Sequence, residues 1–398
     1  MSRGRLLGSV AIAAGLTPLN STMIAVALPE LTAEFGVSAS QVTFWVVTGY
    51  LVATIACQMP AGRVADRLGY ARVLTLGRWT FAAGAAAALF APSIAIVVAG
   101  RFLMAAGGAL MVPTAMALIR VTVPPERRAR AFGAMGAVMA GSAAAGPAIG
   151  GLIIASFSWR ALFLVNLPLL LLSWLLQPPA LRAQASSGRT ASAGFGFGLL
   201  RSGGFAAGAA IIALQNLAMY ALMFQIPFLF RATTGPDERQ IGFAIMALAA
   251  TMALSSPVGG WLAERVGVRR IAFAGGMLGA IGIAALTMLD AYSFSTVAGW
   301  VVLVGAGIGI STGPSQAAAL SAIDPAVSGT ASAMMSLLRY VGGITGTTIL
   351  SIALGETASD LGRHDVALWI FAAAFVASSL CALALTPLPK LSRPVTGV

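Results

Sequence analysis

A chain of 398 residues with 58% hydrophobic and only 9% charged side chains is not a soluble globular domain, in which about a quarter of residues carry charge. Its mean hydropathy of +0.90 identifies an integral membrane protein. The formal charge of +12 does not indicate a nucleic-acid partner, because the basic residues lie in short clusters between apolar segments and form no single patch. Cys57 and Cys381 each sit alone inside an apolar run, so they offer neither a disulfide framework nor a paired-thiol metal site.

About twenty apolar residues cross the hydrocarbon core as a helix. Twelve such runs are predicted, at 6–28, 40–61, 73–91, 94–119, 131–155, 161–177, 205–230, 240–262, 271–289, 295–319, 328–354 and 366–386. The first run is too long for a removable signal peptide and lacks a small-residue cleavage site, so it is kept as a helix. The segment from Gln177 to Gly204, rich in Pro, Gly, Ser, Ala and Arg, reads as a flexible linker. The expected architecture is all-α, with twelve transmembrane helices in two pseudo-symmetric six-helix bundles, residues 1–177 and 205–398, joined by a cytoplasmic linker at 178–204.

With both termini placed in the cytoplasm, the opposite side holds Arg160, Arg231, Arg239 and Arg363, while Arg101 and Arg339 fall inside helices. The rest of the 24 basic residues lie on the cytoplasmic side, as the positive-inside rule requires. Nearly all of these bases are arginine and the chain is rich in Ala and Gly, a composition that points to a bacterium and hence to its inner membrane.

One charged segment between the second and third runs, Gly62-Arg63-Val64-Ala65-Asp66-Arg67-Leu68-Gly69-Tyr70-Ala71-Arg72, returns later as Gly260-Trp261-Leu262-Ala263-Glu264-Arg265-Val266-Gly267-Val268-Arg269-Arg270. The register persists beyond it: Ala99-Gly100 answers to Ala298-Gly299, and Pro125, Ala131 and Met135 answer to Pro325, Ala331 and Met335. Two halves with the same turn in the same place describe a parallel internal repeat.

These residues resemble the major facilitator superfamily of secondary transporters over nearly the whole chain. Gly62 to Arg72 resembles its signature loop, and Gly100-Arg101-Phe102-Leu103-Met104-Ala105-Ala106-Gly107-Gly108 its fourth-helix motif. Ser142-Ala143-Ala144-Ala145-Gly146-Pro147-Ala148-Ile149-Gly150-Gly151 resembles the fifth-helix motif of antiporters and drug exporters, with Gly146, Pro147, Gly150 and Gly151 in place. Leu19 to Pro29 and Arg339 to Gly346 are similar to the multidrug/proton antiporter branch, which usually has fourteen helices. The chain departs from that branch in having twelve, and in carrying Asn20 where an aspartate is usual.

The resemblance implies that Gly62, Asp66, Arg67, Gly69 and Arg72, with Glu264 and Arg265 in the second half, form a latch between access states; the plain alternative is a positive-inside turn. It also implies a central cavity lined by the first, fourth, seventh and tenth helices, which offer Asn20, Met23, Arg101, Met104, Asn216, Tyr220, Met223, Ser311, Ser315 and Gln316. The alternative is that Met and Tyr fill helix contacts. Arg101 and Arg339 lie too deep to snorkel, so each faces the protein interior or water, or is satisfied by backbone carbonyls. Gly146 and Pro147 predict a kinked, tightly packed fifth helix.

All 12 carboxylates fall at helix ends, and none is left in mid-membrane. Arginine does not titrate in the physiological range, so proton coupling uses a peripheral acid, with Glu30 the best placed, or is absent. His364, within Arg363-His364-Asp365, is expected to be solvated in an external loop. The expected function is secondary export of a small amphipathic compound by alternating access, with neutral or anionic cargo favoured over lipophilic cations. The alternative is a metabolite uptake carrier or uncoupled facilitator. No clustered His, Cys or carboxylates occur in mid-membrane, which disfavours an enzyme. The expected partners are a small-molecule substrate, the lipid bilayer and protons as the candidate coupling ion, for a monomer with no cofactor, metal or nucleic acid.

Overall fold

Apolar chain in a bilayer has no water to satisfy its peptide groups, so it closes its hydrogen bonds within helices. The computed structural model describes residues 3–178, 196–233, 238–289, 293–354 and 361–387, and these are helical almost throughout. Among the described residues, ten helices are long and apolar enough to cross a membrane.

The first stretch is α1 (Arg3–Met23), a 3-10 turn at Ile24–Ala27 and α2 (Leu28–Phe35). Pro29 stands in the first turn of α2, where its missing N–H and its ring interrupt the preceding α-helical ladder and favour the tighter turn. The second stretch is α3 (Ala39–Val42), a π-helical turn at Thr43–Thr48 and α4 (Gly49–Leu68). Then come α5 (Tyr70–Leu89), α6 (Ile94–Thr122), α7 (Arg128–Ser156), α8 (Ala161–Leu164) and α9 (Asn166–Leu176). The second half contains α10 (Gly203–Thr233), α11 (Glu238–Val266), α12 (Val268–Leu286), α13 (Phe294–Ser321), α14 (Ser328–Leu354) and α15 (Leu361–Ala382).

Two expectations are corrected here. The charged signature segment is not a loop: α4 runs through Arg63 and Asp66 to Leu68, and α5 starts at Tyr70, leaving Gly69 as the entire turn. Gly69 has φ 90°, and Gly267 has φ 105° between α11 and α12; backbone at positive φ favours glycine because it has no Cβ to clash. His364 is not a solvated loop residue either. It lies in the first turn of α15, is 0% exposed, and receives the Gln225 side-chain N–H at its carbonyl oxygen at 3.0 Å. The polar segment at 361–365 misled because the helix extends past the apolar run, and the buried amide of Gln225 supplies the ring with a polar neighbour at 3.4 Å.

Of the expected linker, residues 179–195 lie outside the described residues, and Phe197–Arg201 forms a 3-10 turn before α10. Arg182, Arg189, Lys390, Arg393, Asp237, Asp290, Glu356 and Asp360 also lie outside them.

The chain divides into two compact units. Unit 1 is Met1–Thr122, Val138–Gly196 and Asp324–Ser336; unit 2 is Val123–Ala137, Phe197–Ile323 and Leu337–Val398. In unit 1, α6 packs on α1, α4 and α5, while α9 packs on α1 and α5. In unit 2, α13 packs on α10, α11 and α12, while α15 packs on α10 and α12. Every pairing in the first unit thus has its counterpart six helical stretches later, as an internal repeat demands.

Small residues let these helices approach without a side chain between them, which gains dispersion contacts where lipid offers no hydrophobic drive. A Cβ on Gly100 would stand 3.0 Å from the Cβ of Ala88 on α5, and one on Gly275 would stand 2.6 Å from the Gly307 carbonyl oxygen. Bulk fills the remainder: Leu16, Met23, Phe81, Met104 and Phe163 are buried in unit 1, and Leu222, Ile283, Val304, Phe371 and Phe375 form part of the core of unit 2.

Candidate functional site

The signature segment places its acid against a helix end. Asp66, 8% exposed, accepts the backbone N–H of Gly329 at 2.7 Å and the Tyr70 hydroxyl at 2.9 Å on Oδ1. Its Oδ2 accepts the N–H of Thr330 at 2.8 Å and the Thr330 hydroxyl at 2.6 Å. Gly329 and Thr330 lie in the first turn of α14, whose first N–H groups have no partner within the helix, so the carboxylate satisfies two orphan donors where the helix dipole favours negative charge. Gly62 makes room for this: a Cβ there would meet Ala333 Cβ at 2.6 Å and the Gly329 carbonyl oxygen at 2.7 Å. Arg67 and Arg72 are exposed, and the acid is met by main chain and hydroxyls instead of by these neighbouring guanidinia.

In unit 2 the repeat keeps the close approach and changes the chemistry. A Cβ on Gly260 would stand 2.5 Å from the Ala129 carbonyl oxygen, near the start of α7. Glu264 lies within electrostatic range of Arg130 and Arg127, while its buried Oε1 has no hydrogen-bond partner. Arg265 turns back over the Trp261 ring, with its guanidinium carbon 4.0 Å from the centroid.

The fifth-helix motif lies against α1. Gly146 and Gly150 share one face of α7; a Cβ on Gly146 would collide with Thr22 Oγ1 and stand 2.9 Å from the Leu19 carbonyl oxygen, and one on Gly150 would stand 2.9 Å from Met23 Cγ. Gly151 faces open space, Pro147 is exposed, and α7 continues through the proline.

Among the described residues of unit 1, Arg101 is the most deeply buried charge, at 1% exposure. Its guanidinium lies over the Tyr50 ring at 3.8 Å, donates from Nε to the Val46 carbonyl at 3.2 Å, and from Nη1 to the Asn20 carbonyl at 3.4 Å. Both carbonyls come from helices that leave α geometry: Val46 is within the π turn, and Asn20 is four residues before Ile24, where the 3-10 turn starts. The third nitrogen, Nη2, has no partner.

Asn20 does not offer its side chain to a ligand in this arrangement. It forms a reciprocal amide pair with Asn166 of α9, Nδ2 to Oδ1 at 2.6 Å one way and 3.1 Å the other, and both residues are buried. Sequence reasoning missed Asn166, although an amide inside the apolar 161–177 run was the available signal. Met23 and Met104 are buried, and Glu30 accepts the backbone N–H of Trp159 at 3.2 Å. Beside it Glu34 accepts the Trp159 indole N–H at 2.6 Å and pairs with Arg160 at 2.7 Å, so Glu30 belongs to a cluster at one end of unit 1.

In unit 2, Ser311 donates to Gln215 Oε1 at 2.6 Å, and Gln215 Nε2 donates to Ser378 at 3.3 Å, joining α13, α10 and α15. Gln215 was also missed, one residue from the selected Asn216, whose amide is spent on the Ile212 carbonyl at 2.8 Å. Ser315 and Gln316 are buried; Ser315 Oγ has no partner. Tyr220 packs on Gly343, and it and Tyr340 are the electrostatic neighbours of Arg339, whose Nε is unpartnered. Met223 is part of the apolar surround of the unit 2 core.

Known proteins resemble this chain in sequence and in fold. Residues 10–347 match the Major Facilitator Superfamily. The tetracenomycin C resistance and export protein of Streptomyces glaucescens is 28% identical, over 90% of this chain and 78% of its own. The riboflavin transporter RibZ of Clostridioides difficile is 22% identical, over 94% of each. The crystal structure of the human organic anion transporter MFSD10 superimposes with a TM-score of 0.77 at 16% identity, over 96% of this chain and 100% of the other, and shares its fold. A multi-pass bundle with a repeated charged turn, matched by one family across most of its length, places this chain in the Major Facilitator Superfamily, whose members are transporters and not enzymes.

Proposed function

We propose that the protein exports a small amphipathic compound, drug-like or metabolic, across a bacterial inner membrane by alternating access between two pseudo-symmetric bundles, with both termini cytoplasmic. The observation that carries the reading is the Asp66 contact: a single carboxylate held by four donors at the start of α14, short and polar enough to be made in one access state and released in another. Glu264 beside Arg127 and Arg130 is its counterpart in the repeat. The resemblance of the Gly146–Gly151 motif to that of antiporters and drug exporters and the export function named for the Streptomyces relative favour the outward direction. Arg101 and amides deep in the helices, with the carboxylates of the sequence all at helix ends, suit neutral or anionic cargo better than lipophilic cations.

The second reading, a metabolite carrier or uncoupled facilitator, rests on the same lack of a mid-membrane acid and on the riboflavin relative. Proteoliposome transport with an imposed pH gradient separates the two, using anionic, neutral and cationic amphipathic dyes. Gradient-driven flux lost in Glu30→Gln supports a proton-coupled exporter that uses a peripheral acid. Flux that ignores the gradient supports the facilitator. Flux limited to cationic dyes refutes the cargo preference.

A further inference from the structure

We propose that the unpartnered nitrogen of Arg101 is the seat of an anionic oxygen of the cargo, so that the substrate class is a monovalent organic anion such as a carboxylate. This rests on the transporter reading and names its substrate chemistry.

The argument begins with charge. The carboxylates of unit 1 are Glu30, Glu34, Asp66 and Asp324, and each is engaged elsewhere: with Trp159, with Trp159 and Arg160, with the start of α14, and with the Ala326 N–H at 2.8 Å. No carboxylate contributes to the electrostatic surroundings of Arg101, where the one titratable neighbour is the neutral phenol of Tyr50. A guanidinium with 1% exposure therefore keeps its charge on two carbonyls and a ring face, with one donor group unused. Intramembrane arginines pair with carboxylates or with backbone carbonyls; Arg101 has two carbonyls and keeps one further donor group that a ligand could engage.

A second buried donor without an acceptor lies on the helix that supplies one of these carbonyls. Thr17 Oγ1 is buried and unpartnered, one turn along α1 from the Asn20 carbonyl that holds Arg101, about 4.5 Å by helical rise. Tyr50 connects the two positions, with its ring beneath the guanidinium and its hydroxyl 3.5 Å from the Thr17 carbonyl oxygen. The Thr17 hydroxyl itself faces the bare Cα of Gly108 on α6. Arginine and hydroxyl donors beside an aromatic face can hold a carboxylate and an adjoining apolar group together.

Access also has a structural basis. Of the two carbonyls that hold Arg101, that of Val46 lies within the π turn of the second helical stretch, and that of Asn20 lies in α1, four residues before the 3-10 turn of the first; at such turns the hydrogen-bond ladder changes register, as it does at hinges. Movement there would expose Nη2 without breaking a regular helix.

The test uses purified full-length protein in liposomes with three probes: dansylglycine, its neutral methyl ester and the cation ethidium. Binding is read from dansyl or ethidium fluorescence, and flux from vesicle uptake. Arg101→Gln is expected to weaken dansylglycine at least tenfold and to leave the ester within twofold. Arg101→Lys is expected to restore part of the affinity, and Thr17→Val to weaken it about threefold. Size-exclusion profiles and ester binding establish that each variant is folded. Equal loss of dansylglycine and ester in Arg101→Gln, or no change in either, overturns the proposal, as does failure of the native protein to bind dansylglycine. Stabilisation of the native protein by sodium chloride alone, lost in Arg101→Gln and with no dansylglycine competition, would assign the site to an inorganic counter-ion and overturn the cargo role. Transport of the ester or of ethidium without the carboxylate would leave the transporter reading standing and remove this one. Absence of flux for all three, with dansylglycine still bound through Arg101, would have the opposite effect.

Discussion

Replacing Asp66 with Asn tests the best-built contact in the structure. Asn is isosteric, so Oδ1 still accepts the Gly329 N–H and the Tyr70 hydroxyl, but an NH2 group now faces the N–H and hydroxyl of Thr330. The Thr330 hydroxyl can rotate to accept from that NH2, but the Thr330 N–H loses its charged acceptor, worth about 1.5–3 kcal/mol, together with the favourable interaction with the α14 dipole. At the lower limit the loss is about 1.5 kcal/mol, which corresponds to roughly tenfold at about 1.4 kcal/mol per factor of ten. Amide hydrogen exchange reports this locally, because Gly329 and Thr330 exchange when their N–H groups leave the carboxylate. Mass spectrometry of the peptide containing them, in reconstituted native and Asp66→Asn protein, should show exchange faster by roughly that factor, with the middle of α14 unchanged. Exchange within threefold of native would refute the assignment of those N–H groups to Asp66, and with it the observation that supports the alternating-access reading.

Other expectations follow from the same geometry. Asn166→Leu strands the buried Asn20 amide and should cost about 1–3 kcal/mol, whereas Asn20→Leu with Asn166→Leu should cost less than the single change; thermal unfolding in detergent gives both values. Gly146→Ala drives a methyl into Thr22 Oγ1 and should destabilise by about 1–3 kcal/mol, with part recovered when Thr22→Ala is added. Arg160→Ala removes an ion pair whose partners are 35% and 38% exposed, and should change stability by less than about 1 kcal/mol. Ser311→Ala, which leaves Gln215 Oε1 without its donor, should cost about 1–3 kcal/mol, and adding Gln215→Leu should recover some of it.

The membrane class, the apolar runs and the duplicated turn were legible in the sequence because each depends on local composition or on spacing along one chain. Hydropathy requires helices wherever long apolar stretches occur, and the glycines of the repeated segment recur because Gly69 and Gly267 adopt backbone that favours no other residue. The partner of Asp66 was not legible, since Gly329 and Thr330 lie more than 250 residues away and both donate main-chain N–H groups, which every sequence carries alike, with the Thr330 hydroxyl added only once α14 is packed there. Asn20 drew attention by standing in an otherwise apolar helix, but whether its amide faced a ligand or Asn166 was settled by how α1 lies against α9. His364 shows the same division: its neighbours Arg363 and Asp365 read as a solvated loop, and packing against α10 buried it beside Gln225. Sequence determines which segments become helices, because that choice is made residue by residue. Tertiary structure decides which polar atoms are satisfied and which, like Arg101 Nη2, have no hydrogen-bond partner, because satisfaction depends on the neighbour that packing supplies.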